Sequence, residues 1–70
     1  MSGIVAHRIC QKMNTKVKEV KRGLTEWDMA LAHFTGYMDA MVSSGFCTKE
    51  ESDMFITEFT RLLFEPVIVG

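Results

Sequence analysis

No stretch of this 70-residue chain approaches the roughly 18–20 consecutive apolar residues of a membrane span, because charged residues interrupt every run. The opening MSGIVAHRICQKM lacks a continuous apolar core and a small-residue cleavage site, so no secretory signal is expected. Cysteine is scarce. Cys10 and Cys47 are too few for a disulfide framework and form no CxxC pair, which points to free thiols in a reduced, cytosolic setting. Adding His7 and His33 produces no metal-ligand spacing, so no metal is expected. The chain also lacks GxSxG, a Walker loop, HExxH and a dinucleotide fingerprint. Asp28 and Asp39 share one side of a helical stretch, the usual pattern of a solvated face. Cys47 precedes a helix start, where a thiol pKa falls, yet no histidine lies near it in sequence. No catalytic residue, cofactor or enzymatic activity is expected.

What the chain has in excess is apolar surface. Hydrophobic residues make up 47% of it, although a domain of this length buries only about 60% of the surface its unfolded chain exposes. Surplus apolar surface in so small a domain points to a partner, most simply another copy of the same chain. Charge is unevenly placed. Residues 1–22 carry six bases against Glu19 alone, a balance of +5, and residues 23–70 carry two bases against eight acids, a balance of −6, giving the net −1. Either the halves attract each other, within or between subunits, or the basic segment holds an anion.

The periodicity predicts an all-α fold: one domain, 1–70, made of a basic segment (1–22), a helical hairpin (25–65) and an apolar tail (66–70). In the first segment Ile9, Met13, Val17 and Val20 form a helical stripe with Ala6 and Cys10 beside it. A strand through residues 15–20, where β-branched residues nearly alternate with charges, competes. Helix is favoured because the stripe covers more of the segment. The second helix is expected over about 26–44, with Thr25 as N-cap, Asp28 at N3, and Leu24 and Met29 as a hydrophobic staple. Trp27, Leu31, Phe34, Met38, Met41 and Val42 form its bulky face. Ser44-Gly45-Phe46 reads as a Schellman stop, with Phe46 folding back toward Met41. The third helix, 49–64, opens on a Thr48–Glu51 capping box and carries Phe55, Phe59, Leu62 and Leu63, with Ile56 at the edge. Pro66 restricts Glu65 and ends it. The short connection makes the last two helices an antiparallel hairpin.

Several residues need a place outside that core. Ala32, Gly36 and Ala40 recur every four residues on the second helix, with Met29 and His33 alongside. A glycine inside a helix costs about 0.5–1 kcal/mol relative to alanine, so close approach of another helix is the natural compensation. That cover is either the first helix or another subunit. Phe64 falls opposite Phe55 and Phe59. Val67, Ile68 and Val69 form an extended apolar run that either augments Gly3-Ile4-Val5 of a neighbouring chain or docks on its own bundle. Met29, Ala32, Gly36, Ala40, Phe64, Val67, Ile68 and Val69 are therefore the candidate interface of a homo-oligomer. Arg8, Lys12 and Lys16 are the candidate anion clamp, with His33 and Tyr37, one turn apart, available to stack on or hydrogen-bond to a nucleotide base. Packing at an interface rim is the plainer reading of that pair. Duplex nucleic acid is disfavoured, because Glu50, Glu51, Asp53 and Glu58 on the third helix would repel it.

Gly36-Tyr37-Met38-Asp39-Ala40-Met41, then Gly45-Phe46, then Thr48-Lys49-Glu50-Glu51 resemble short helical proteins carried by bacteriophages and mobile elements. The likeness covers residues 25–65 and transfers no functional residue. It implies the cytoplasm of a bacterial host, and a small non-enzymatic protein that binds and inhibits a host defence protein. Two alternatives stand beside it: an oligomeric sponge for a nucleotide signal, and a nucleic-acid accessory protein.

Overall fold

The computed structural model describes residues 1–65 and consists of three helices. They are α1 (Gly3–Lys21), α2 (Trp27–Ser43) and α3 (Lys49–Phe64), with no strand among the described residues. The tail carrying Val67, Ile68 and Val69 lies outside them. Helix α1 runs unbroken through residues 15–21, so the stripe prevails over the alternation. Gly3, Ile4 and Val5 form its first turn and offer no strand for a tail to pair with. The Ser2 hydroxyl caps that turn, accepting the Val5 N–H at 3.3 Å.

Two glycines set the corners. Gly23 and Gly45 hold φ of 75° and 76°, the left-handed region that glycine enters without steric cost. At each corner the following residue donates back to the carbonyl five positions earlier, Leu24 to Glu19 and Phe46 to Met41, both at 2.9 Å. Both helices therefore end in Schellman motifs. Phe46 nevertheless stays 53% exposed.

The start of α2 departs from expectation. Its N-cap is Glu26, without a side-chain cap, and not Thr25. The Thr25 hydroxyl donates instead to Glu19 Oε2 at 3.4 Å, and Asp28 Oδ1 accepts the Met29 N–H at 2.9 Å. Leu24 and Met29 are both exposed, so no buried staple forms there. Helix α3 opens as expected: Thr48 Oγ1 accepts the Glu51 N–H at 3.1 Å and Glu51 Oε1 accepts the Thr48 N–H at 2.8 Å. Glu65 is extended, as a residue before proline must be.

The core joins all three helices through Ile9 and Met13 of α1, Phe34 and Met38 of α2, and Phe59 and Leu63 of α3. Phe34 and Phe59 pack with centroids 4.5 Å apart. The buried line of α2 is Ala30–Phe34–Met38; Leu31, Met41 and Val42 of the predicted face pack against the core, and Trp27 of that face stays 48% exposed. Trp27 meets Phe64 edge-on at 5.2 Å, giving Phe64 a neighbour within the chain while it remains 58% exposed. Helix α1 does not cover the small stripe of α2. Ala32, Gly36 and Ala40 are exposed, and a Cβ built on Gly36 meets nothing within 4 Å among the described residues. Helix α1 packs instead on the Phe34–Met38 side, where bulkier side chains bury more apolar area.

Candidate functional site

Two surfaces of α1 are candidates, and they lie on opposite flanks. On the flank toward α2, Arg8, Lys12 and Lys16 recur every four residues and share one face. Lys12 Nζ sits 5.3 Å from the centroid of the Tyr37 ring, a cation–π contact that joins the proposed clamp to the proposed stacking residue. His33 lies one turn from Tyr37 and is exposed. Among the described residues the ion pairs involve Lys49 with Asp53, Arg61 with Glu58 and Glu65, and the amino group of Met1 with Glu51. Arg8, Lys12 and Lys16 thus have no acidic partner there. The two halves are linked instead by the Met1–Glu51 pair, by the Thr25–Glu19 hydrogen bond and by Lys21, which donates to the carbonyls of Leu63 at 3.4 Å and Glu65 at 2.8 Å.

On the flank toward α3 lies a groove of about 530 Å³. Cys10 and Met13 form its α1 wall, Met54 and Phe55 its α3 wall, and Met1 lies at its edge. Met54 is 72% exposed, a large apolar side chain left in water beside an apolar channel. Glu51 and Glu58 stand on the α3 lip. None of Arg8, Lys12, Lys16, His33 or Tyr37 lines this groove.

The electrostatics of the lip follow from local hydrogen bonds. The Thr48 backbone N–H holds the Glu51 carboxyl below its ordinary pKa, and the Met1 amino group reinforces this. Arg61 lowers Glu58 by donating from Nε to Oε2 at 3.0 Å, and it reaches Glu65 at 3.3 Å. Glu51, Glu58 and Glu65 recur every seven residues, so they follow one side of α3 with Arg61 between the last two. Burial, then the Glu51 carboxylate, raises the Cys47 thiol above its ordinary value. That outcome reverses the lowering expected at a helix N-terminus: burial and the Glu51 carboxylate outweigh the Met1 amino group, which acts in the opposite direction.

Sequence reasoning assigned Cys10 and Met13 to the stripe of α1 and gave Met54 no place. The signal for the groove was the seven-residue spacing of the three glutamates with Met54 between the first two. Among the described residues no group of three His, Cys, Asp or Glu side chains is placed to hold a metal ion. No helix among them is long and apolar enough to cross a membrane. No protein-family model, curated protein or solved structure matches the chain.

Proposed function

We propose that this chain is a non-enzymatic binding protein that acts by direct contact with another protein through the groove between α1 and α3. The observation that carries this reading is the exposed Met54 side chain beside an apolar channel of about 530 Å³. An apolar surface of that kind costs solvation until a partner covers it. The scaffold is an antiparallel hairpin of α2 and α3 with α1 laid against it. The short link 44–48, and the pairing of Trp27 with Phe64 and of Phe34 with Phe59, support that arrangement. The uncovered face of α2, with Met29, Ala32, Gly36 and Ala40, supports self-association as the platform that displays the grooves. The resemblance read from the sequence of residues 25–65 favours a partner in bacterial cytoplasm, where occupying a defence protein's surface inhibits it.

The test is a photo-crosslinking side chain at position 54 in cells that naturally make the chain. One discrete adduct is expected from position 54 and none from position 22, which is exposed at the end of α1. Identical adducts from both positions, or none from position 54, overturn the reading. The contact between Lys12 and Tyr37, beside bases that lack acidic partners among the described residues, favours a second reading: capture of a nucleotide on the other flank of α1.

A further inference from the structure

Resting on the direct-contact reading above, we propose that the groove accepts an amphipathic α-helix of a different protein, with basic residues along the flank that faces α3. Three features of the groove support this partner. Its walls are two helices, and a third helix lays its apolar stripe into such a channel. Met54 stands exposed on the α3 wall, and its unbranched thioether adjusts to varied side chains. Glu51 and Glu58, seven residues apart, are separated by about 10 Å along α3, two helical turns and the spacing between anchor residues i and i+7 of a seated helix.

Charge then selects the flank. The α3 lip carries Glu51 and Glu58, with Glu65 just past the helix end, against Arg61 and the Met1 amino group, which leaves it net acidic. The α1 wall, formed by Cys10 and Met13, contributes no acid. A seated helix with lysine or arginine toward α3 meets opposite charge, and one with acids there meets repulsion. The chain has a basic amphipathic helix of its own, but it does not qualify. The apolar stripe of α1 is committed to the core, where Ile9 is fully buried and Met13 is 7% exposed. A second copy would have to unfold to offer that stripe, which favours a helix of another protein.

The experiment uses the full chain and two designed helical peptides of about 18 residues, five turns each. They share one leucine face and carry either lysine or glutamate on both flanks. Fluorescence anisotropy is expected to show the lysine peptide binding at least about tenfold more tightly than the glutamate peptide. Met54→Lys should remove at least about nine-tenths of that affinity while circular dichroism stays unchanged, because position 54 is solvent-exposed. Glu58→Lys should shrink or invert the peptide preference. Equal binding of both peptides, or binding indifferent to Met54→Lys, overturns the proposal. So does a homodimer that Met54→Lys dissociates, because a second copy then fills the groove. A groove-dependent adduct from position 54 alongside peptides bound without preference overturns the basic-helix partner and leaves the direct-contact reading standing.

Discussion

Ser52 is fully buried in α3, and its hydroxyl has no hydrogen-bond partner among the described residues. A buried unpaired hydroxyl costs about 1–3 kcal/mol, and alanine fits the same space without that group. Ser52→Ala should therefore raise unfolding stability by about 1 kcal/mol, a Tm increase of roughly 4–8 °C for a domain of this size. An unchanged or lower Tm in calorimetry would show that the hydroxyl is satisfied in solution. Ser52 and Ala30 mark where periodicity stops being informative. Large residues such as Ile9, Phe34, Met38 and Phe59 announce their burial through spacing. Small ones are buried by how closely helices approach, which a one-dimensional pattern does not encode. Cys47 shows the same limit. Its position before α3 pointed to a lowered thiol pKa, but its neighbours raise it. Half-buried Cys10 should react with a thiol reagent at neutral pH well before Cys47, whose burial and raised pKa both withhold thiolate. Mass spectrometry of partly labelled protein distinguishes the two sites, and earlier labelling of Cys47 would contradict its burial.

At the scale of the helix, Thr48 and Thr25 read alike in sequence, each followed three residues later by an acid. Only Thr48 forms a capping box. Glu51 is long enough to reach back to the N-cap N–H, whereas Asp28 is shorter and Glu19 competes for the Thr25 hydroxyl. The Schellman stop at Gly45 and the end before Pro66 were legible because they depend on local backbone geometry alone. The box has a pH signature. The Glu51 carboxyl is held below its ordinary value of 4.5, chiefly by the Thr48 N–H, so its stabilisation is complete above that pH. It is lost as pH falls through the lowered folded-state value. Thermal melts should therefore show stability declining below about pH 4.5, and Glu51→Gln should be less stable at neutral pH with a shallower acid slope. Equal slopes would remove Glu51 from the acid transition. Gly36 makes a comparable point on α2: the periodic small stripe was visible, but its cover was not. Because a Cβ there meets nothing, Gly36→Ala should stabilise the single chain by roughly 0.5–1 kcal/mol. If α2 faces pair between copies, Gly36→Leu should dissociate them without unfolding the chain, as read by light scattering.

Across the whole molecule, charge separation was legible from sequence and its purpose was not. A groove needs two walls from distant segments, so Cys10 and Met54 became neighbours only when α1 met α3. The basic flank presents the reverse case, since its residues were identifiable but their acidic partners are absent among the described residues. Arg8, Lys12 and Lys16 stand four residues apart, and like charges at that spacing repel by about 0.2–0.5 kcal/mol per pair. Alanine is also the best helix former. Replacing all three with alanine should therefore leave Tm unchanged or higher at low salt. A lower Tm would show that these charges hold the fold together. The loss of the Lys12–Tyr37 contact works against the gain, which is why Lys12→Ala alone should be the least favourable of the single variants. Added nucleotide separates binding from folding. If the flank captures phosphates, ligand at about 100 times its Kd stabilises the native chain by roughly 2.7 kcal/mol and the triple variant not at all. Added salt should weaken that stabilisation, because these bases are exposed or half-buried and their attraction for phosphate is screened. A native chain whose Tm is unmoved by a panel of mono-, di- and cyclic nucleotides ends the capture reading for those ligands and leaves the groove as the binding surface.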